Sequence, residues 1–178
     1  MPDKAISEAI KQVASLMELA ARTAPKTKGE DFIMTMTLGE EKIAELAKAM
    51  VEFGLARNKK SFDRDGANVS KSTAVVLIGL KNAATVGLNC GACGYATCKQ
   101  LEEATVIDGE FRGPICSYRH LDLGIALGSA AKMAQIHNVD NRIIYRIGAA
   151  ARWKRIVDWD LVMGIPLSAT GKSIYFDR

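Results

Sequence analysis

The sequence predicts an α+β fold in which helices pack around a small mixed β-sheet. Amphipathic stretches with helical spacing alternate with short apolar runs, and no internal repeat or low-complexity segment interrupts them. The chain has 178 residues, of which 48% are hydrophobic and 25% are charged, so it can bury a core without a metal to hold the fold together. We therefore expect a single domain over residues 1–178.

The first half of the chain predicts two helices and two strands. Apolar side chains recur at helical spacing over residues 3–23 and again over residues 39–57. Residues 31–38 alternate between large apolar and polar or smaller side chains, which predicts a strand, and residues 73–80 are continuously apolar, as in a buried central strand. The polar segment 58–72 predicts a loop with at most one helical turn.

The second half predicts shorter helices and a further strand. Residues 97–108 and 149–156 predict short helices, and residues 118–138 predict a longer helix whose small residues allow close packing. Residues 160–167 predict another buried strand. The segment 141–148 is ambiguous between helix and strand, and we favour a strand there.

Charge and hydropathy exclude two classes of partner. The net charge of +4 is spread along the chain, and its longest basic block is RNKK at 57–60, so we expect no nucleic-acid binding. The longest strongly apolar run, residues 74–80, is too short to span a bilayer, and the N-terminus lacks the apolar core of a signal peptide. We therefore expect a cytoplasmic protein.

The four cysteines have the spacing Cys-x2-Cys-x4-Cys-x17-Cys. Three lie in the stretch LNCGACGYATC and the fourth in GPICSYR: Cys90, Cys93, Cys98 and Cys116. Because thiols stay reduced in the expected compartment, this spacing indicates metal or redox chemistry rather than structural disulfides. Structural zinc usually joins two close pairs of cysteines, whereas three ligands from one loop and a distant fourth are typical of iron–sulfur clusters. The spacing favours a cluster and leaves zinc as the alternative.

The residues between the cysteines also fit a cluster. Gly91 and Gly94 each follow a cysteine and can adopt positive φ, which turns successive backbone amides toward an anion. Cys98 opens the predicted helix, and the positive end of the helix dipole favours negative charge there. Three cations lie nearby in sequence and would damp that charge if they face it: Lys99, Arg112 and Arg119.

The stretch CGACGYATC, together with the distant cysteine, resembles the Cys-Gly-x-Cys-Gly-x-x-x-Cys…Cys module of the corrinoid iron–sulfur protein and of the B subunit of the Rnf electron-transport complex. Over nearly its full length the chain resembles the uncharacterised "ferredoxin domain-containing" proteins of anaerobic bacteria and archaea, through stretches such as DLGIALGSA at 122–130 and VDNRIIYRIGAAA at 139–151. The resemblance implies one [4Fe-4S] cluster held by the four cysteines, in a module at residues 88–117 inserted after the central strand. The four-cysteine spacing with its interleaved glycines leads us to expect electron transfer, with a redox partner protein.

A second resemblance, to the flavin-binding nitroreductases, follows the order of AARTAPKTKGEDF, a buried strand, DLGIALGSAAKMAQIHN and DLVMGIPL. Arg22 and Pro25 match the nitroreductase pattern, whereas Lys26 stands where Ser is usual. Those proteins bind FMN at a dimer interface, so the likeness implies a nitroreductase-like scaffold, a homodimer and FMN, with Lys172 in the place of a late phosphate-binding cation.

These observations lead to one expected function and two alternatives. The first is an iron–sulfur protein that transfers electrons. The second is an FMN-dependent oxidoreductase of nitroreductase type in which the cluster is accessory. The third is a zinc-stapled interaction protein. Whether the protein is an enzyme is left open by the sequence.

Overall fold

The computed structural model describes residues 3–176, which form a β-sheet covered by helices on both faces. The helices are α1 (Lys4–Thr23), α2 (Glu40–Ala56), α3 (Phe62–Val69), α4 (Cys98–Glu102), α5 (Ser117–Ile136) and α6 (Tyr145–Trp153). The strands are β1 (Ile33–Leu38), β2 (Ala74–Leu80), β3 (Ile107–Asp108), β4 (Arg112–Gly113), β5 (Asp140–Asn141) and β6 (Leu161–Ser168). Short 3-10 turns lie at Thr27–Gly29 and Ile174–Phe176.

The main sheet has four strands in the order β1-β2-β6-β5, and a separate two-stranded sheet joins β3 to β4. The predicted α+β class is confirmed, but every strand pair is antiparallel, so the sheet is not mixed as expected. The central strand β2 pairs along its whole length with β1 and with β6, and all of its residues are buried. A continuously apolar strand suits this position because helices cover both of its faces.

One face of the sheet is covered by α1 and α5. Their apolar stripes meet the alternate side chains of β2 that point to this side, in a core that includes Ile10, Val13, Met17, Val76, Ile78, Leu123, Ala126 and Ala130. The small residues of α5 lie in two different environments. Ala126 and Ala130 are completely buried in this core, whereas Gly124 and Gly128 face outward with no atom within 4 Å of where a Cβ would lie.

The other face of the sheet is covered by α2, α3 and α6. Their core includes Leu46, Met50, Phe53, Phe62, Ile147 and Trp159, packed against Val75 and Leu77 of β2. Helix α6 lies directly on β6, because a Cβ on Gly148 would be 1.8 Å from the carbonyl oxygen of Val162. Only glycine permits that approach.

Three predicted segments differ in the structure. Residues 58–72 were expected to be a loop but contain the eight-residue helix α3. The strand expected over residues 141–148 is wrong: only Asp140–Asn141 pairs with β6, Ile144 makes one isolated bridge to Gly164, and α6 then begins at Tyr145. The helix expected over residues 97–108 is confirmed at its start but ends at Glu102.

A helix that crosses a bilayer needs about 20 mostly apolar residues. Within residues 3–176, none is both long and apolar enough to cross a membrane.

Candidate iron–sulfur site

The four cysteines border one pocket between β2 and α5. Three come from the loop that follows β2, and Cys116 is the N-cap residue of α5. Cys90 is exposed, Cys93 and Cys98 are partly buried, and Cys116 is buried. The pocket, including its open mouth, holds about 280 Å³ of space between atoms. Within residues 3–176, no three or more His, Cys, Asp or Glu side chains are arranged to hold a single metal ion.

The two glycines of the cysteine loop adopt the predicted left-handed backbone. The φ angle is +75° at Gly91 and +88° at Gly94, and the amide of Gly94 donates to the carbonyl of Gly91 at 2.9 Å. This turn wraps the backbone around Cys93. Because no atom lies within 4 Å of a Cβ at either position, the backbone conformation and not crowding requires glycine.

Backbone amides do face a cysteine sulfur, but they come from the segment before the first cysteine. The Asn89 amide donates to the Cys98 sulfur at 3.4 Å, and the Asn89 side-chain oxygen accepts from the Cys98 amide at 2.8 Å. Hydrogen bonds from the Asn89 amide, and further ones from Gly87, Leu88 and the Thr85 hydroxyl, lower the pKa of the Cys98 thiol. The loop thus favours the thiolate, which is the form that binds metal.

The three residues before Cys90 form a second turn, which the sequence also indicates although the cysteine spacing does not. Gly87 has a φ of +79° and Asn89 a φ of +49°, and glycine and asparagine are the residue types that tolerate this region best. The Gly-Leu-Asn run before Cys90 therefore indicates a tight turn that can direct amides inward.

Helix α4 starts where the sequence placed it, at Cys98. Thr97 caps it, since the Gln100 amide donates to the Thr97 hydroxyl at 3.2 Å and the Thr97 amide donates to the Gln100 side chain at 3.1 Å. This capping box fixes the direction in which the chain enters the helix. It therefore fixes the position of the third cysteine.

Arg119, in the first turns of α5, is completely buried. Its guanidinium donates to the carbonyls of Ala84 at 2.9 Å and Thr27 at 3.1 Å, pairs with Asp122 at 3.2 Å and also pairs with Glu30. Because two carboxylates compensate its charge, Arg119 does not act as the cation near the cluster that its sequence position suggested. It joins the start of the cysteine loop to α5.

The other two cations near the cysteines in sequence are also paired elsewhere. Lys99 lies 3.6 Å from a carboxylate oxygen of Glu103, and Arg112 lies 3.8 Å from carboxylate oxygens of both Asp108 and Asp160. Neither cation borders the cysteine pocket. These exposed pairs are worth little individually and leave little charge directed at the thiols.

Two residues at the positions of the nitroreductase pattern, Arg22 and Lys26, make their contacts around the C-terminal end of α1. The Lys26 ammonium is buried and donates to three carbonyls of the last turn of α1 and the residue after it, at 2.6–3.4 Å. Arg22 pairs with Asp31 at 3.3 Å and donates to the carbonyl of Ile33. Lys172 is exposed in the segment after β6 and does not border the cysteine pocket. FMN binding and a phosphate contact at Lys172 stay predictions.

Comparisons with known proteins indicate iron–sulfur chemistry for this chain. Residues 87–110 match the model of a family described as "Putative Fe-S cluster", and residues 112–178 match that of a family described as "Uncharacterized protein containing a ferredoxin domain". The chain is 47% identical over 172 residues to an uncharacterized protein of Archaeoglobus fulgidus, a match that covers 97% of this chain and 93% of the relative.

The fold, the cysteine pocket and these matches define an iron–sulfur protein. The chain belongs to the family of uncharacterised proteins that contain a ferredoxin domain.

Proposed function

We propose that the protein binds one [4Fe-4S] cluster through its four cysteines and uses it to transfer electrons. The observation that carries the proposal is that Cys90, Cys93, Cys98 and Cys116 border a single pocket although the last is 18 residues beyond the third in sequence. Four cysteine thiolates are the usual ligand set of such a cluster, which supplies reversible one-electron transfer when it is bound.

The chain supports an anionic group in this pocket with backbone amides. The Asn89 amide donates to the Cys98 sulfur at 3.4 Å, and hydrogen bonds from this segment lower the pKa of the Cys98 thiol. Hydrogen bonds to ligand sulfur stabilise negative charge and raise the reduction potential. The supporting donors belong to the backbone, so they are held by the turn and not by flexible side chains.

The burial of the four thiols supports a direction for electron exchange. Cys116 is buried against Val86 and Leu101, whereas Cys90 is exposed beside the half-exposed side chain of Leu88. A redox partner protein would therefore approach from the side of Cys90, where the path to solvent is shortest.

The test is metal and sulfide analysis with EPR spectroscopy on anaerobically prepared protein. We expect about four iron and four sulfide per chain, and an EPR signal on reduction with dithionite, as a cubane requires. Replacing each cysteine in turn by serine should lower iron and sulfide content, while Tyr118→Phe, which changes a pocket residue that is not a proposed ligand, should leave both unchanged.

The same sample separates the alternatives. One equivalent of zinc with no iron would contradict the cluster and favour the zinc-stapled protein. Bound FMN would give a structured absorption band near roughly 450 nm, set by the flavin itself.

A further inference from the structure

The 3-10 turn Thr27–Gly29 lies against the beginning of the cysteine loop, although the two are far apart in sequence. The Lys28 ammonium donates to the carbonyl of Val86 at 2.7 Å. The carbonyl of Thr27 accepts from Arg119 at 3.1 Å, and Arg119 also donates to the carbonyl of Ala84 at 2.9 Å. The turn thus contacts the loop both directly and through Arg119.

The turn is held in place by α5. The amide and the hydroxyl of Thr27 both donate to the same carboxylate oxygen of Asp122, each at 2.8 Å, and Asp122 is buried. Asp122 lies within the first two turns of α5, whose N-cap is Cys116. The position of Lys28 is therefore fixed relative to the cysteine that ends the loop.

The backbone of Lys28 adopts a conformation that its residue type disfavours. Its φ is +59° and its ψ is +13°, in the left-handed region where a side chain with a Cβ is crowded and glycine or asparagine is more usual. Gly29 follows with a φ of +69°. A lysine in this position is consistent with a requirement for its side chain, because sparsely populated conformations concentrate at functional sites.

Lys28 differs from three other cations near the loop in the partner that its charged group contacts. Lys99, Arg112 and Arg119 each lie within ion-pair distance of a carboxylate. Among the ion pairs of residues 3–176, none includes Lys28, whose ammonium donates to a neutral carbonyl. In the described part of the chain, its ammonium therefore has no carboxylate within ion-pair distance.

This charge lies beside the peptide group that joins Val86 to Gly87. Val86, which accepts from Lys28, borders the cysteine pocket. The Lys28 ammonium is also 4.0 Å from where a Cβ of Gly87 would lie, and the Gly87 amide belongs to the same peptide group as the Val86 carbonyl. One peptide segment thus separates the ammonium from the pocket.

We infer that Lys28 raises the reduction potential of the cluster held in the cysteine pocket, an inference that rests on the proposed function. Reduction adds one electron, and hence one negative charge, to the site without making or breaking a bond. A nearby uncompensated cation stabilises the added charge, so it favours the reduced form. Lys28 is not a ligand of the cluster. It acts on the cluster only through the electric field of its ammonium.

The experiment is a potentiometric titration of the anaerobically prepared protein, with dithionite as reductant and EPR as readout. Lys28→Met removes the charge and keeps most of the side-chain length, and Lys28→Arg keeps the charge. Lys99→Met is the matched control, because it makes the same change in net charge at an exposed lysine beside Cys98 whose charge is already paired with Glu103.

We expect Lys28→Met to lower the ratio of reduced to oxidised protein at a fixed potential by about three- to tenfold, which is a shift of about 30 to 59 mV for a one-electron couple. Lys28→Arg and Lys99→Met should each stay close to the wild-type midpoint. The shift should shrink as salt is raised, because Lys28 is exposed and its field is screened.

Three results would overturn the inference: an unchanged midpoint in Lys28→Met, an equal shift in Lys28→Arg, or an equal shift in Lys99→Met. The second would mean that geometry and not charge is responsible, and the third that net charge alone acts. If wild-type protein contains no iron and sulfide, the proposed function fails and the inference falls with it. If the cluster is present and only the midpoint is insensitive to Lys28, the inference alone fails.

Discussion

At the scale of single residues, Arg119 is distinctive because its charged side chain is completely buried. Its guanidinium satisfies two backbone carbonyls and two carboxylates, and it lies 4.6 Å over the ring of Phe32. A buried ion pair adds little net stability when it is complete, because desolvation offsets the attraction between the charges. Breaking it is costly, since the remaining charge stays buried.

We predict that Arg119→Met lowers the free energy of unfolding by about 3–5 kcal/mol, because it leaves the buried carboxylate of Asp122 without its cation. Urea unfolding of the cluster-loaded protein measures the effect. Arg112→Met is the control, since that guanidinium is exposed and its carboxylates are 3.8 Å away, and it should cost less than about 1 kcal/mol. Equal losses in the two variants would contradict a special role for Arg119.

Residue by residue, the sequence predicts the parts of the site that depend on local spacing. The cysteine spacing placed all four thiols in one module, and the positive φ angles at Gly91 and Gly94 are confirmed. The roles of Lys28 and Arg119 could not be predicted in the same way. Lys28 is 58 residues from Val86, and only the packing of the Thr27–Gly29 turn against α5 brings them together.

At the scale of elements, the contact between α6 and β6 depends on glycine. A Cβ on Gly148 would lie 1.8 Å from the Val162 carbonyl oxygen, and one on Gly164 would lie 2.0 Å from Cγ2 of Ile147. The helix and the strand therefore approach each other at two glycines, one from each element. A methyl group at Gly148 would push the backbone of α6 away from that of β6. No side-chain rotation can relieve this clash, because the atom it meets is a backbone carbonyl oxygen.

We predict that Gly148→Ala destabilises the protein by about 1–3 kcal/mol or more, as overpacking does in a filled core. Gly124→Ala is the matched control on the outer face of α5, where no atom lies within 4 Å of the added group. It should raise stability by roughly 0.5–1 kcal/mol, because alanine favours a helix interior over glycine. Thermal unfolding should shift by about 2–4 °C for each kcal/mol in a chain of this size. A stabilising Gly148→Ala would show that α6 can move away from β6.

A close approach also explains why helix α3 was missed from the sequence. Helix α3 contains Gly66 and two aspartates in its first turn, a composition typical of a loop. A Cβ on Gly66 would be 3.0 Å from the Ala47 carbonyl, so tertiary packing against α2 requires the residue that lowers the helix propensity. The helix predicted over residues 149–156 corresponds to α6, which already begins at Tyr145, since the segment expected to be a strand pairs with β6 only at Asp140–Asn141 and at Ile144.

At the scale of the whole molecule, the two large cores do not include the cysteine pocket. They lie on the two faces of the main sheet, whereas Cys116 belongs to a third, small cluster with Val86 and Leu101. The loop between β2 and α5 is tied to the sheet by Asp160, whose side chain accepts from the Asn82 amide at 2.6 Å and whose carbonyl accepts from the Arg112 amide at 2.8 Å. Because the site lies outside both cores, we expect the cysteine loop to open without unfolding of the sheet.

This separation predicts the response to metal removal. Treating the protein with a chelator and an oxidant should speed hydrogen–deuterium exchange across residues 81–116, because the loop loses the group that its thiols would hold, while few buried contacts remain to order it. Amides of β2 and β6 should keep their protection, since their ladder joins two apolar cores that need no metal. Peptides covering Ala74–Leu80 and Leu161–Ser168 provide the internal control, measured by mass spectrometry before and after treatment. Equal loss of protection in the loop and in both strands would mean that the metal centre holds the whole fold together, as in a zinc-stapled domain, and that the core is not sufficient by itself.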